Sequence, residues 1–229
     1  MRVAALYDVH GNLPALEAVL AAIPGDAAIV VGGDVAAGPF PAETVERLRA
    51  LGDRVHWLRG NADRELTSGE EGLAPAQMLD WVRERMTPEQ IAFLHGLPPT
   101  LELDIEELGP VLFCHATPQN DVDIFTSITP VERVAPAFAG VEAGLVVVGH
   151  THMQFDREIA GTRVVNAGSV GMPYEDAPGA YWALLPGASG DLELTMTPYE
   201  PDVGEWPDEW PTASRDEATA HFETLALGS

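Results

Sequence analysis

The chain opens Met1-Arg2-Val3-Ala4-Ala5-Leu6-Tyr7-Asp8-Val9-His10-Gly11-Asn12, an apolar run that stops at Asp8 and turns polar. Residues 1–7 predict a first β-strand, with Val3, Ala5 and Tyr7 on one face and Leu6 on the other. Residues i and i+2 of a strand share a face, so Asp8 and His10 can both aim at one point just beyond the strand's end. A carboxylate oxygen and an imidazole nitrogen meeting there form part of a ligand set for a transition metal. Asn12 is a natural N-cap, and Pro14 fits the first turn of the helix that should follow. An isolated Asp-x-His triplet is a weak signal. Its weight rests on what else the chain brings to the same place.

Working outward, residues 13–23 predict an amphipathic helix, with Leu16, Val19, Leu20 and Ile23 at helical spacing. Residues 26–31 are a second apolar strand that runs into Gly32-Gly33-Asp34, and Gly38-Pro39 closes the loop. Residues 41–51 read as a helix stopped by Gly52, and 54–58 as a third strand ending in Arg59-Gly60-Asn61-Ala62-Asp63. This alternation is the pattern of a right-handed parallel α/β sheet, in which sites form at the carboxyl ends of the strands. The polar loops at 8–12, 33–38 and 60–63 all fall there.

Residues 64–98 read as mostly helical. Met78, Leu79, Val82 and Met86 share one face of 75–86, and Thr87-Pro88-Glu89-Gln90 has the form of a capping box. Helices packed on the core are the first expectation for this insertion, and a flap over the site is the alternative. Residues 101–103 and 111–114 predict a hairpin around Glu106-Glu107-Leu108-Gly109, whose second strand ends in His115. A buried strand at 144–148 ends in Gly149-His150-Thr151-His152. Strands at 154–159 and 163–165, then a hairpin of 180–185 with 192–197, predict a late antiparallel half forming a second sheet packed on the first. Residues 200–211 read as an acidic, Pro-rich tail pinned by Trp206 and Trp210, and 214–227 as a terminal helix.

Seven histidines occur, and four of them (His10, His115, His150 and His152) follow apolar strands, beside Asp8, Asp34 and Asn61. Each alone has a plain structural reading, such as a turn or a hydrogen-bonded core histidine. Together, five separate strand ends supply only nitrogen and oxygen ligand types, which core packing does not call for and a dinuclear metal site does. His56 and His95 lack such context and are expected to be structural, and His221 to be an exposed residue of the terminal helix.

In order, Asp8-x-His10, Gly33-Asp34-x3-Gly38, Gly60-Asn61-x-Asp63, His115, Gly149-His150-x-His152 and Asn166-Ala167-Gly168-Ser169-Val170-Gly171 resemble the motifs of the calcineurin-like metallophosphoesterase superfamily. The chain is especially similar to the small bacterial phosphodiesterases of that group. Each motif is short, but the ordered set spans residues 1–185 and is specific. The resemblance implies an α/β fold, a four-layer αββα sandwich of two mixed β-sheets flanked by helices. It implies two divalent metal ions at the edge of that sandwich. One would take Asp8, His10, Asp34 and His152, the other Asp34, Asn61, His115 and His150, with Asp34 bridging. Asp34, Asp63 and His150 would be catalytic, and Asn12, Asn61 and Arg64 would bind the substrate phosphate; a surface ion pair is an equal alternative for Arg64. Manganese is the first expected metal, and iron, zinc, nickel or cobalt also suit a ligand set without cysteine.

The implied reaction is hydrolysis of a small phosphodiester by in-line attack of a metal-bridging hydroxide. A phosphomonoesterase or nucleotide phosphatase with the same site is the alternative. A non-catalytic scaffold, such as the eukaryotic retromer subunit with its degraded site, is the third reading, and the retained ligand types count against it. Two departures stand out. Ala62 occupies the position where many superfamily members carry a leaving-group histidine, and Tyr7 stands where a small residue is usual, either crowding or lining the pocket.

Length and composition bound the rest. A chain of 229 residues can bury a full core, and the divisions read from it are a domain at 1–199 and a tail with terminal helix at 200–229. The net charge is −24, with no lysine among the basic residues, so nucleic-acid polymers and anionic membranes are unfavourable partners. A small phosphoester is the expected partner, and homo-oligomerisation stays open. The single Cys114, the short apolar start and the lack of any membrane-length segment lead to the expectation of a reducing, cytoplasmic compartment. The acid excess has two readings, an acidic solvated surface, which is preferred, and adaptation to high salt.

Overall fold

Alternation along the first strand sets the layers. In the computed structural model, which describes residues 1–68, 72–106, 108–186, 190–207 and 211–228, β1 (Val3–Leu6) sends Val3 and Ala5, with Tyr7 just beyond it, into one core. Ala4 and Leu6 enter another. β2 (Ala28–Gly32) and β3 (Val55–Leu58) lie parallel beside β1. Helices α1 (Leu13–Ala22), α2 (Pro41–Arg49), α3 (Asn61–Ser68), α4 (Ala76–Arg85) and α5 (Pro88–His95) cover the outer face of this sheet. Leu16, Val45, Leu66, Val82 and Leu94 pack there against Leu6, Ile29 and Val31. Asn12 caps α1 by accepting from the Ala15 amide, and Thr87 with Gln90 closes the expected capping box on α5.

The second sheet takes β4 (Thr100–Ile105), β5 (Gly109–Cys114), β6 (Leu145–Val148), β7 (Phe155–Ile159) and β8 (Thr162–Asn166) in the order β4-β5-β6-β8-β7. Val111, Phe113, Leu145, Val147 and Val165 meet Val3, Ala5 and Val30 of the first sheet. Each such side chain taken fully from water contributes roughly 1.5–3 kcal/mol. The outer face of the second sheet packs on Phe125, Phe138 and α6 (Val131–Val134). Among the described residues the result is an α/β fold of two mixed five-stranded sheets with helices on both sides.

The late half is divided differently from the expectation. β9 (Ala180–Leu185) and β10 (Glu193–Thr197) return to the first sheet, giving the order β10-β9-β1-β2-β3. β9 pairs antiparallel with β1, Val3 opposite Leu185. In the second sheet β5, β6 and β8 run parallel. The physical reason lies in burial. Leu145–Val148 and all but one residue of Ala180–Leu185 are buried, as suits strands flanked on both faces. Such runs look alike whichever neighbour they take. Glu107, residues 187–189 and Trp210, used in the sequence reading, lie outside the described residues.

Tyr7 neither crowds nor lines the site. It is fully buried between the sheets and donates its hydroxyl to the Val147 carbonyl at 2.8 Å. Trp206 packs edge-on against Trp81 at 5.0 Å. Ser214 and Glu217 form a capping box on the terminal helix α7 (Arg215–Glu223). No helix among the described residues is long and apolar enough to cross a membrane.

Candidate metal centre

The carboxyl ends of β1, β2, β3, β5 and β6 lead into Asp8 and His10, Asp34, Asn61, His115, and His150 and His152 respectively. Backbone bonds stitch these loops together. His10 N donates to Asp34 O at 2.8 Å, and Gly149 N donates to His115 O at 2.9 Å. Asp8 Oδ2 accepts from His150 N at 2.9 Å, which ties the edge of the first sheet to that of the second.

The backbone is strained at the same place. Among the described residues six that are not glycine have positive φ: Asp8, His10, Asp34, His150, His152 and Ala160. Five of the six belong to the expected ligand set. Each such conformation costs about 1–3 kcal/mol and persists only where the surroundings enforce it. Left-handed backbone thus follows β1, β2 and β6 at the site, while Asn61 after β3 and His115 after β5 are not among these positive-φ residues. Gly60 permits a close approach, since a Cβ there would lie 2.2 Å from Asp34 Oδ1.

Asp8, His10 and His152 each offer a ligand atom within 4.8 Å of the others, and so do Asp8, Asp34 and His115; all are buried. His152 Nε2 lies 3.4 Å and His115 Nε2 3.8 Å from Asp8 Oδ1. His115 Nε2 lies 3.5 Å and His10 Nε2 3.8 Å from Asp34 Oδ2. The two carboxylates thus stand between the two imidazole groups.

Tautomers follow from the partners. His10 Nδ1 faces the Ala37 carbonyl at 3.0 Å, His152 Nδ1 the Met172 carbonyl at 2.7 Å and His115 Nδ1 the Gly32 carbonyl at 2.9 Å. A carbonyl only accepts, so each Nδ1 carries a proton and each Nε2 faces inward, where it presents a lone pair whenever the ring is neutral. His10 Nε2 and His152 Nε2 then meet at 3.1 Å, lone pair to lone pair, a contact that a cation or a shared proton relieves. Asp8 Oδ1 and His150 Nε2 are buried with no hydrogen-bond partner. A buried polar atom left so is costly. An all-nitrogen-and-oxygen set with unsatisfied lone pairs fits divalent cations.

The electrostatics agree. Burial opposes the charge on His115, but Asp34 and Asp8 outweigh it and lift the imidazole to about 10. Burial also opposes the charge on Asp34, and His115, His10 and His150 hold that carboxyl well below the usual range. His150 is pushed down to about 4 by burial and by His115, so it is neutral with a free lone pair at pH 7.

The calcineurin-like phosphoesterase superfamily domain matches residues 1–186 of this sequence. The chain belongs to that superfamily. Over 221 residues it is 28% identical to the uncharacterized protein MJ0912 of Methanocaldococcus jannaschii, an alignment covering 86% of this chain and 88% of that protein. The crystal structure of a metallophosphoesterase from Sphaerobacter thermophilus is 25% identical, with a TM-score of 0.69, over 87% of this chain and 90% of that one. The hypothetical protein PH1004 from Pyrococcus horikoshii OT3 is 21% identical and shares the fold, with a TM-score of 0.77 over 100% of this chain and 98% of that one. Membership implies divalent metal ions, and the buried triads are candidate ligand groups for them.

Not every expected site residue of this phosphoesterase reaches the same point. Asn61 does: its Oδ1 lies 3.1 Å from His115 Nε2. Asp63 sits behind the ligands, where it accepts from the amides of Asp34 at 2.8 Å, Val35 at 3.0 Å and Gly60 at 3.1 Å. Burial and the neighbouring Asp34 push it up to about 7, against the pull of those amides. Its position is that of a brace for the Asp34 loop. Asn12 caps α1 and donates to Gly171 O at 2.8 Å and to the Tyr199 hydroxyl at 3.0 Å. Arg64 makes a two-bond ion pair with Asp121, at 2.8 and 3.0 Å, and faces a different cavity.

A cleft of about 350 Å³ opens above the candidate ligands, with His10, Asp34, Asn61, His150 and His152 in its lining. Several of its residues were not anticipated. Tyr174 stacks on the His152 ring at 5.1 Å and 17°. His221, exposed as expected, nonetheless joins Phe222 and Leu225 in lining the cleft. Fully buried Glu65 accepts from Asn61 Nδ2 at 3.2 Å. The family turn has a bracing role: Asn166 Nδ2 donates to Gly149 O at 2.6 Å, and Ser169 Oγ to Asp8 O at 2.8 Å. Only that turn carried a sequence signal, as part of the ordered motifs.

Proposed function

We propose that this phosphoesterase is a two-metal phosphodiesterase acting on small phosphodiesters. The observation that carries the reading is the pair of buried candidate triads under an open cleft, where Asp8 Oδ1 and the neighbouring His150 Nε2 have no hydrogen-bond partner. Divalent ions held by Asp8, His10, Asp34 and His152, and by Asp34, Asn61, His115 and His150, would polarise a phosphoryl oxygen and supply a water-derived nucleophile at neutral pH. Manganese is the first choice. The protein's own part is positioning. Strained loops fix the carboxylates, backbone carbonyls fix the imidazole tautomers, and Tyr174 holds the His152 ring in plane.

Charge favours a diester over a monoester. The described lining of the cleft contains no Arg, the chain contains no Lys, and Arg64 is committed to Asp121. A diester brings one negative charge, whereas a monoester approaches two near pH 7. Ala62 lines the cleft where a leaving-group acid would stand, so poor leaving groups should react slowly; general acid catalysis typically contributes about 10²–10⁴-fold.

The test is turnover of bis(p-nitrophenyl) phosphate against p-nitrophenyl phosphate with added manganese, alongside metal analysis. Turnover of the diester, lost on chelation and in Asp34→Asn, is expected. Faster turnover of the monoester would favour a phosphomonoesterase, and no metal with no turnover would favour a scaffold. Aryl diesters of graded leaving-group acidity should show a steep dependence. A flat one would point to His221, the cleft-lining imidazole outside the ligand set.

A further inference from the structure

The cleft has a polar floor and apolar walls. One wall is Leu73, Ala74, Pro75 and Met78; another is Phe222 and Leu225 of α7 and the turn after it. Leu73 and Leu225 are 52% and 51% exposed in a chain of net charge −24. Two half-exposed leucines lining one cleft mark a binding surface. From the ligand His152 a row of rings leads outward. Tyr174 stacks on it, and Phe222 follows 6.0 Å from Tyr174. A nucleotide or sugar ester would call for cations or hydrogen-bonding side chains, and above the floor the described lining offers only Tyr174 and His221.

Both walls are pinned in place. Glu65 accepts from the amides of Leu73 at 3.2 Å and Ala74 at 2.8 Å, with the same carboxylate that receives Asn61. Helix α7 is tied by Arg215 to Glu175 and the Gln154 carbonyl, and by Glu223 to Thr126 and Thr129. The volume of about 350 Å³ is at the small end of ligand sites, enough for a phosphate and a single ring.

We infer that this cleft selects phosphodiesters in which the ester group retained on phosphorus, rather than the one that leaves, is an apolar ring, held against Leu73–Met78 and Phe222–Leu225. The inference rests on the phosphodiesterase reading and names its substrate class.

The experiment compares methyl and benzyl p-nitrophenyl phosphate, which share one leaving group, using the full-length protein loaded with manganese. The benzyl ester should be favoured about tenfold or more in kcat/KM, mainly through KM. Phe222→Ala and, on the other wall, Met78→Ala should each narrow that ratio. Without any variant, phenylphosphonate should inhibit more tightly than methylphosphonate. Equal kcat/KM for the two esters, or a ratio unmoved by both wall variants, would overturn the assignment while leaving the phosphodiesterase in place. Turnover of neither diester would overturn both.

Discussion

Glu65 lies outside the ligand set yet governs one of its members. It draws off Asn61 Nδ2, which leaves Oδ1 turned toward His115. Glu65→Gln keeps the size but replaces one acceptor oxygen with a donor. Manganese affinity, titrated into chelator-treated protein, should fall about 10–100-fold; an unchanged affinity would mean that Asn61 is oriented by other contacts. His115 gives a second prediction. With a pKa of about 10 it holds a proton at pH 8 when no metal is bound, and a cation must displace it. Calorimetry in two buffers of different ionisation enthalpy should therefore detect about one proton released per chain. The same shift sets a stability trend in metal-free protein. The contribution is present in full below the unfolded value of about 6.5 and is lost as pH rises toward about 10. Its melting temperature should drop from pH 7 to pH 9 more than that of His115→Gln. The candidate ligands were legible because Asp8-x-His10 and His150-x-His152 have strand-end spacing. Glu65 was not, because in sequence it is an ordinary charged residue beside Arg64, and only the fold buries it.

Helix α7 shows the same division among elements. Its start was readable from Ser214 and Glu217, which form the capping box. Its place was not, since the partners of Arg215 and Glu223 lie at Glu175, Thr126 and Thr129, far away in sequence. Ser214→Ala should cost about 1 kcal/mol. The loss should fall on this helix, so amide exchange should quicken over 215–223 and stay slow in β1 and β2. Equal quickening in those central strands would mean that α7 unfolds only with the whole domain. The strands divide likewise. Their positions follow from apolar runs between Gly and Pro, but the return of β9 and β10 to the first sheet depends on which buried edge is free. No local pattern encodes that.

Across the whole molecule, 36 acidic residues face 12 basic ones, all arginine. Several arginines are already spent on neighbours, as Arg163 is on Asp156 and Asp191. The remaining acids repel one another, and salt shortens the range of that repulsion from about 10 Å at 0.1 M to about 3 Å at 1 M. The melting temperature should rise by several degrees between those salt concentrations; a flat or falling series would leave the acid excess without a stability role. The layered architecture was legible from the ordered motifs, because they fix which strands carry polar ends. What makes it a site is that five of those ends meet. A crystal grown with manganese and measured at the metal's absorption edge tests this directly. The account predicts two anomalous peaks, one among Asp8, His10 and His152, the other beside His115, His150 and Asn61, with Asp34 reaching both. No peak at these side chains would contradict it, and with it the proposed hydrolytic chemistry.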